Sequence, residues 1–244
     1  MVQLNEKTPT MKTKLYSEHQ KLGAQFTNFA GWEMPLKYDS IIKEHKAVRN
    51  NAGIFDISHM GEFVIDGADA KDLLQYLMVN DLDLLETFKG QYSCMCYPNG
   101  TVVDDTVYYQ EDPEKFRMIV NASNRKKDFQ WIQQHIEEKN VTIKDFSDKR
   151  GRIAFQGPKS DTLLQPLVDT DLSSIERFFF TYTKLKGIPI FLARTGYTGE
   201  RGVEMSFKLE HAEKVWNLLL DTGAKPAGLG ARDSLRLDAC YPLY

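Results

Sequence analysis

Apolar residues recur every third or fourth position in some stretches of the chain and every second position in others, and each change of period marks an element. Helical spacing predicts a short helix over residues 11–25, with Leu15, His19 and Leu22 on one side and Gly23 closing it. A second helix covers residues 41 to about 50, capped by Ser40, with Ile41, Ile42, His45 and Val48 turned inward. A third covers residues 69–78 on Leu73, Leu74 and Leu77, and a fourth runs from Arg125 to about Glu138 on Phe129, Ile132 and Ile136. Two more start at Ser160 and His211. Strand-like alternation appears in two segments within residues 54–67, on both sides of the turn Pro98-Asn99-Gly100, and in the return segment 116–120. It appears again in the buried run 153–158 and in the pair 178–183 and 188–194. The aromatic, glycine-interrupted segment 26–35 reads as loop or edge strand, and the charged segment 144–152 as a crossing between subdomains. No internal repeat is apparent in this reading. Strand and helix signals mix without regular alternation, so the expected fold is α+β, with mainly antiparallel sheets and flanking helices.

Composition narrows the class. A chain of 244 residues, 42% hydrophobic and 27% charged, can bury a substantial core in one large domain or two smaller ones, and it has no apolar run of membrane-spanning length. A net charge of -3 offers no general attraction for nucleic acid or an anionic membrane. Residues 1–12 lack an apolar signal core, so a cytoplasmic protein is expected. Cys94, Cys96 and Cys240 suit reduced thiols rather than a disulfide framework, and the five histidines have no metal-ligand spacing, so no metal site is expected.

Chemistry concentrates in two stretches. The strand after Pro98-Asn99-Gly100 carries Asp104 and Asp105 side by side, and strict alternation places Asp105 with Val103 and Val107, and Asp104 with Val102, Thr106 and Tyr108. Burial and a like charge both raise a carboxyl pKa, so one of the two is expected to handle a proton or orient a cation, the alternative being a strand-end pair that meets water. The second stretch, Thr195-Gly196-Tyr197-Thr198-Gly199-Glu200-Arg201-Gly202-Val203-Glu204, allows close backbone approach to a ligand. It lacks the Lys-Ser/Thr of a phosphate loop and opens a strand rather than a helix, which disfavours a phosphate cradle. His59, beside Ser58 and Met60, reads as structural before it reads as a general base.

Several segments, in order, resemble one family. They are Phe29-Ala30-Gly31-Trp32-Glu33-Met34-Pro35, Gly53-Ile54-Phe55-Asp56-Ile57-Ser58-His59-Met60, Val103-Asp104-Asp105, Val120-Asn121-Ala122, Gln156-Gly157-Pro158, Gly196-Tyr197-Thr198-Gly199-Glu200 and Gly228-Leu229-Gly230-Ala231-Arg232-Asp233-Ser234-Leu235-Arg236-Leu237. Together they resemble the aminomethyltransferase, or T-protein, family of the glycine cleavage system. The resemblance implies a folate-binding fold around a central channel, with residues 1–50 and 150–244 forming one discontinuous subdomain and 51–149 a second. It implies transfer of the methylene of an aminomethyl group from the lipoyl arm of the H-protein to tetrahydrofolate, with release of ammonia. By the same resemblance Asp105 faces the folate N10, Glu204 hydrogen-bonds the pterin, and Met60, Tyr92, Val120, Asn121, Tyr197 and Arg232 fall at folate contacts. Arg232 has an alternative as a structural ion pair with Asp233 or another acid.

Two departures stand out. The family usually continues into a C-terminal β-rich barrel domain, whereas this sequence ends at Tyr244 and so reads as truncated; and Asp238-Ala239-Cys240 stands where the family usually has Glu-Ala-Gly. The competing readings are a non-transferase folate-binding homologue of the iron-sulfur and tRNA-modification type, the folate domain of a demethylating flavoenzyme, and an inactive fragment. The Lys-Gly-Cys-Tyr-x-Gly-Gln signature of the first and the G-x-G-x-x-G of the second are not found.

Overall fold

A computed structural model describes residues 10–244. Most of the segment read above as free of a signal core therefore lies outside the described residues. The chain runs α1 (Tyr16–Lys21), β1 (Gln25–Phe29), β2 (Trp32–Lys37), α2 (Ile41–Asn50), β3 (Gly53–Asp56), β4 (Gly61–Asp66), α3 (Ala70–Leu77), β5 (Gly90–Cys96), β6 (Val102–Asp112) and β7 (Lys115–Val120). It continues through α4 (Arg125–Gln133), β8 (Thr142–Asp145), β9 (Arg150–Gln156), α5 (Ser160–Leu164), β10 (Phe180–Leu185), β11 (Ile188–Ala193), β12 (Gly202–Lys208), α6 (Ala212–Leu220), β13 (Lys225–Pro226) and α7 (Leu229–Asp238).

Two larger sheets carry the molecule, ordered β5-β6-β7-β4-β8 and β10-β11-β12-β9-β3-β13. All their pairings are antiparallel except β13 on β3, so the α+β expectation holds. Segment 26–35 contributes a separate β1–β2 hairpin. One core joins Phe63, Leu73, Leu74, Met118 and Ile132, and another joins Phe155, Leu192, Val203, Val215 and Trp216. Between the sheets lies a third cluster of Tyr109, Ile119, Phe180, Phe191 and Ala193, with Met60 and Val107 against it. Among the described residues no helix is long and apolar enough to cross a membrane.

Contrary to the sequence reading, the chain contains an internal repeat. Residues 61–95 and 151–185 follow the same course of strand, helix, 3-10 turn and strand, ninety positions apart. The detail repeats as well. Gln75 Oε1 accepts from Leu82 N at 2.7 Å and Gln165 Oε1 from Leu172 N at 2.8 Å; Phe88 and Phe178 both adopt positive φ, 65° and 69°. Gly90 N donates to Phe178 O and Phe180 N to Phe88 O, a reciprocal exchange that makes the relation a pseudo-twofold.

The strands that open the two units are exchanged: β3 precedes β4 but pairs with β9, while β8 precedes β9 but pairs with β4. The crossings are built alike. Asp56 accepts from Ser58 N and Asp145 from Ser147 N, and Ser58 and Ser147 Oγ then accept from Arg152 N and Glu62 N. By sheets, therefore, residues 53–56 go with the later half of the chain, past the boundary drawn at 51.

Local corrections have local causes. In α2 it is Glu44, not Ile42, that turns inward; Ile42 is 67% exposed. Glu44 accepts from Tyr38 N, Asp39 N and Gly228 N, serving two helix entries with one carboxylate, while Ser40 makes no side-chain cap. Helix α4 stops at Gln133 rather than near Glu138, which has φ 63° and turns the chain away.

Candidate functional site

The hairpin β5–β6 does not alternate strictly. Its register shifts between Met95 and Cys96, which leaves Val103 as an extra residue opposite Cys96. Val103 and Asp104 are consequently both fully buried, and Asp105 shares its face with Val107 but not with Val103. The two carboxylates stay on opposite sides of the sheet, as alternation requires, and the bulge moves Val103 to the side of Asp104.

Asp105 emerges between the sheets, half-buried. Tyr92 OH donates to its Oδ2 at 2.7 Å and Asn121 Nδ2 to its Oδ1 at 2.6 Å. Burial and the neighbouring carboxylate keep the Tyr92 phenol protonated well above its usual range, so it stays a donor. On the far side Asp104 accepts from Asn121 N (3.2 Å), Asn121 Nδ2 (2.9 Å) and Asn124 Nδ2 (2.7 Å). Asn121 therefore bridges both carboxylates through the sheet.

Behind Asp104 sits Asp128 of α4, fully buried, with neither oxygen hydrogen-bonded to any N–H or O–H donor. Burial first, and then contact with Asp104, push its carboxyl up to about 9. Asp128 is a neutral acid at neutral pH. Sequence reasoning looked for a perturbed carboxyl in the Asp104–Asp105 pair and passed over this third one.

The opposing sheet supplies Glu204, on β12. Its Oε2 accepts from Thr195 Oγ1 at 2.6 Å, and Thr195 Oγ1 lies 3.0 Å from Tyr109 OH on the first sheet. Burial drives the Tyr109 phenol upward, so Tyr109 donates and the chain Tyr109–Thr195–Glu204 has one polarity. The loop before Glu204 is pinned by buried Gln156, which donates to Thr195 O and Val203 O and accepts from Thr198 Oγ1. A Cβ on Gly196 would fall 1.9 Å from Gln156 Oε1, which is why glycine stands there.

Helix α7 brings Arg232 over the Tyr197 ring, 4.7 Å from its centroid. Arg232 lies within electrostatic reach of Glu204, and Tyr197 within reach of Arg232 and Asp105. The ion pair with Asp233 does not form, because Asp233 pairs with Arg236 at 2.9 Å. Arg232 Nη1 is buried without a partner, and burial lowers the guanidinium pKa. Met60 closes the corner, in contact with two apolar clusters.

Of the residues named from sequence, Met60, Tyr92, Asp105, Asn121, Tyr197, Glu204 and Arg232 converge. Val120 does not bring its side chain there; it is fully buried in the core on the other face of its sheet. His59 is buried, its Nδ1 is unpartnered, and burial lowers it to about 4, so it is a neutral structural group edge-on to Phe29. Missed were Asn124, Asp128, Thr195 as the anchor of Glu204, and Tyr109. For Asp128 a signal existed: it shares the inward spacing of Phe129 and Ile132 on α4. Among the described residues no three His, Cys, Asp or Glu side chains gather as a metal site.

These features define an α+β protein of two pseudo-twofold-related units, with a polar corner between its sheets that presents two carboxylates and a guanidinium. The chain belongs to the family described as the GCVT N-terminal domain, whose model matches residues 15–244. It is 45% identical over 237 residues to an aminomethyltransferase of Thermotoga neapolitana and 46% identical over 236 residues to one of Chloroherpeton thalassium, covering 96% and 95% of this chain. The chain spans 65% of the length of each of these curated relatives. Its fold matches the solved glycine cleavage system aminomethyltransferase T of Bartonella henselae with a TM-score of 0.89 at 32% identity, covering 95% of this chain and 63% of that one.

Proposed function

We propose that this chain forms the folate-binding and reacting part of an aminomethyltransferase of the glycine cleavage system, with residues 53–56 and 150–244 as one subdomain and 61–145 as the other. The observation that carries the reading is the convergence of Asp105 and Glu204 from separate sheets, with the unpartnered Arg232 Nη1 beside Glu204. That donor set fits a reduced pterin. A carboxylate accepts from adjacent ring N–H groups in a paired, charge-assisted geometry, and a guanidinium N–H donates to a ring oxygen or nitrogen. The alternatives of a folate-binding homologue without transferase activity, or an inactive fragment, predict the same corner and differ only in turnover.

Bound tetrahydrofolate supplies the amine that accepts the methylene carried by the lipoyl arm of a partner H-protein, and ammonia leaves. The protein's part is placement. Thr195 and Tyr109 hold Glu204 in one rotamer, so its lone pairs are directed before binding. Tyr92 and Asn121 hold Asp105 from both sides, which places a carboxylate to orient the reacting amine and to hold its proton. Met60 and the Tyr197 ring limit water at the corner. With free thiols at Cys94, Cys96 and Cys240, we place the protein in the cytoplasm.

The test is calorimetric titration with tetrahydrofolate under reducing, anaerobic conditions, followed by turnover with lipoylated H-protein. One-to-one binding that is lost in Glu204→Ala is expected, with turnover lost in Asp105→Asn. Binding unchanged in Glu204→Ala would refute the assignment of the corner, and binding without turnover would refute the transferase reading in favour of the non-transferase homologue or the inactive fragment.

A further inference from the structure

The pseudo-twofold carries the Asp105–Glu204 corner onto a second recess between the same two sheets, and the register fixes which residue replaces which. Arg117 faces Val64 across β7–β4 as Glu204 faces Ala154 across β12–β9. Arg150 stands in the place of Met60, Tyr182 of Tyr92, Lys184 of Cys94, Pro189 of Asp105 and Phe191 of Val107. The recess encloses about 400 Å³. Its backbone is that of the first corner and its charge is reversed.

That charge is not neutralised within the chain. Glu62 meets Arg117, Arg152 at 3.0 Å and Arg150 at 3.5 Å, and Glu111 meets Arg117 at 2.7 Å and Lys115 at 3.3 Å. Among the described residues Lys184, on the rim, joins no ion pair, so five cations face two carboxylates. Arg150 Nε is buried and makes no hydrogen bond, its nearest acceptor being Glu62 Oε1 at 3.5 Å, and Arg152 Nε, behind the recess wall, is buried without a hydrogen bond as well. Uncompensated positive charge and orphaned N–H groups in a half-enclosed space are costly, and an anion relieves both. A guanidinium offers parallel N–H groups that match a carboxylate, while Tyr182, Pro189 and Phe191 form an apolar wall, the two rings at 69° to each other. Hydroxyls add little: Tyr182 OH is committed to Glu111 and Ser206 Oγ to Glu62.

We propose that this recess is a second binding site, for a small planar carboxylate, separate from the Asp105–Glu204 corner. Benzoate is the probe, titrated into the full chain by calorimetry or by proton NMR of the aromatic residues. Saturable one-to-one binding is expected, weakened about tenfold or more in Arg150→Ala by the loss of a charge-assisted pair. Arg150→Ala leaves the Glu62–Arg117 and Glu62–Arg152 pairs intact, and Lys184→Glu, at an exposed strand position, provides a second variant that is expected to weaken binding in the same direction. Saturating tetrahydrofolate is expected to leave benzoate affinity unchanged. Competition between the two would place benzoate in the first corner and overturn the proposal, as would the absence of saturable binding in the unaltered chain. Displacement by inorganic phosphate at equal concentration would indicate an adventitious ion only and overturn the ligand class.

Discussion

The two corners are one backbone used twice. In the first, a carboxylate on each sheet faces a shared space, each carboxylate held by neutral donors: Tyr92 and Asn121 on Asp105, Thr195 on Glu204. In the second, the equivalent strand positions carry Pro189 and Arg117, and charges bond charges, Arg117 to Glu62 and Glu111. Tyr92 and Tyr182 make the difference plain. At the same repeat position, one phenol donates to a carboxylate of its own sheet and the other to Glu111 of the opposite sheet. The turns, caps and crossings are kept between units while the corners diverge, so the ligand each corner suits is written in a few side chains on a shared frame.

The axis between the corners is the point of greatest leverage. Glu62 and Arg152 occupy equivalent repeat positions and bond to each other, both almost wholly buried, with Ser206 and Arg117 completing the cluster. Burial works against the charged form of Glu62, and the surrounding arginines overcome it and lower its pKa. Glu62→Ala leaves the buried guanidinium of Arg152 unpaired and Arg117 with Glu111 alone, and an expected loss of about 3–5 kcal/mol follows. Denaturant unfolding with unchanged m-value measures it; a loss under about 1 kcal/mol would mean that water enters and the two units are not locked through this pair.

The next effect separates the two carboxylates of the first corner. Asp105→Asn is expected to reduce turnover by about 10²-fold or more with little change in folate affinity, as removal of a proton-handling group does. Glu204→Ala is expected to weaken folate binding by about 1.5–3 kcal/mol, the worth of hydrogen bonds to a charged group. Equal loss of affinity in both variants would erase the division between reacting and recognising sides.

Much of this arrangement was legible beforehand. Period-two runs and turn residues located the strands, since β-branched and aromatic residues flanked Pro98-Asn99-Gly100 and the 186–187 turn. The convergence of Asp105, Asn121, Glu204 and Arg232 followed from motif resemblance, because no local pattern says that β6 and β12 face each other. The repeat was overlooked although Gly61, Gly67, Leu74, Gln75, Asp81, Leu82, Phe88 and Tyr92 recur ninety residues later, as Gly151, Gly157, Leu164, Gln165, Asp171, Leu172, Phe178 and Tyr182. The matching positions are mostly separated by dissimilar residues, which hides the repeat from a reading of local pattern. The bulge at Val103 could not be foreseen, since alternation has no residue-level marker for an extra position.

Asp128 sharpens the first corner further. Its carboxyl holds a proton up to about 9 in the folded chain against an ordinary value of 3.8. Between those values the folded state binds a proton that the unfolded state lacks, so its contribution to stability is full below about 4 and is lost as pH rises toward about 9. The slope is about 1.4 kcal/mol per pH unit for one proton. Asp128→Asn keeps a donor toward Asp104 without a titrating group, and is expected to flatten the stability-versus-pH curve by that one proton. Parallel curves for the two proteins would place the proton elsewhere.

The smallest effect concerns the last turn of α7, which carries Arg232 into the first corner. Cys240 N donates to Leu237 O and Tyr241 N to Arg236 O, the double closure that ends a helix with a left-handed residue. That residue is Cys240, at φ 59°, where a side chain meets its own backbone and glycine does not. Left-handed backbone costs a non-glycine residue about 1–2 kcal/mol, partly offset by the greater freedom glycine has when unfolded. Cys240→Gly is therefore expected to stabilise the chain by about 0.5–1 kcal/mol, read as a raised midpoint of thermal or denaturant unfolding. A neutral or destabilising result would mean that the exposed thiol makes a contact that offsets the strain. Cys240 is followed by Tyr241, whose ring stacks on Tyr197 with centroids 5.9 Å apart, and by Pro242, whose carbonyl accepts from Tyr197 OH; Cys240→Gly keeps both contacts, so folate affinity is expected to change by a factor of two or less, on the order of 0.4 kcal/mol.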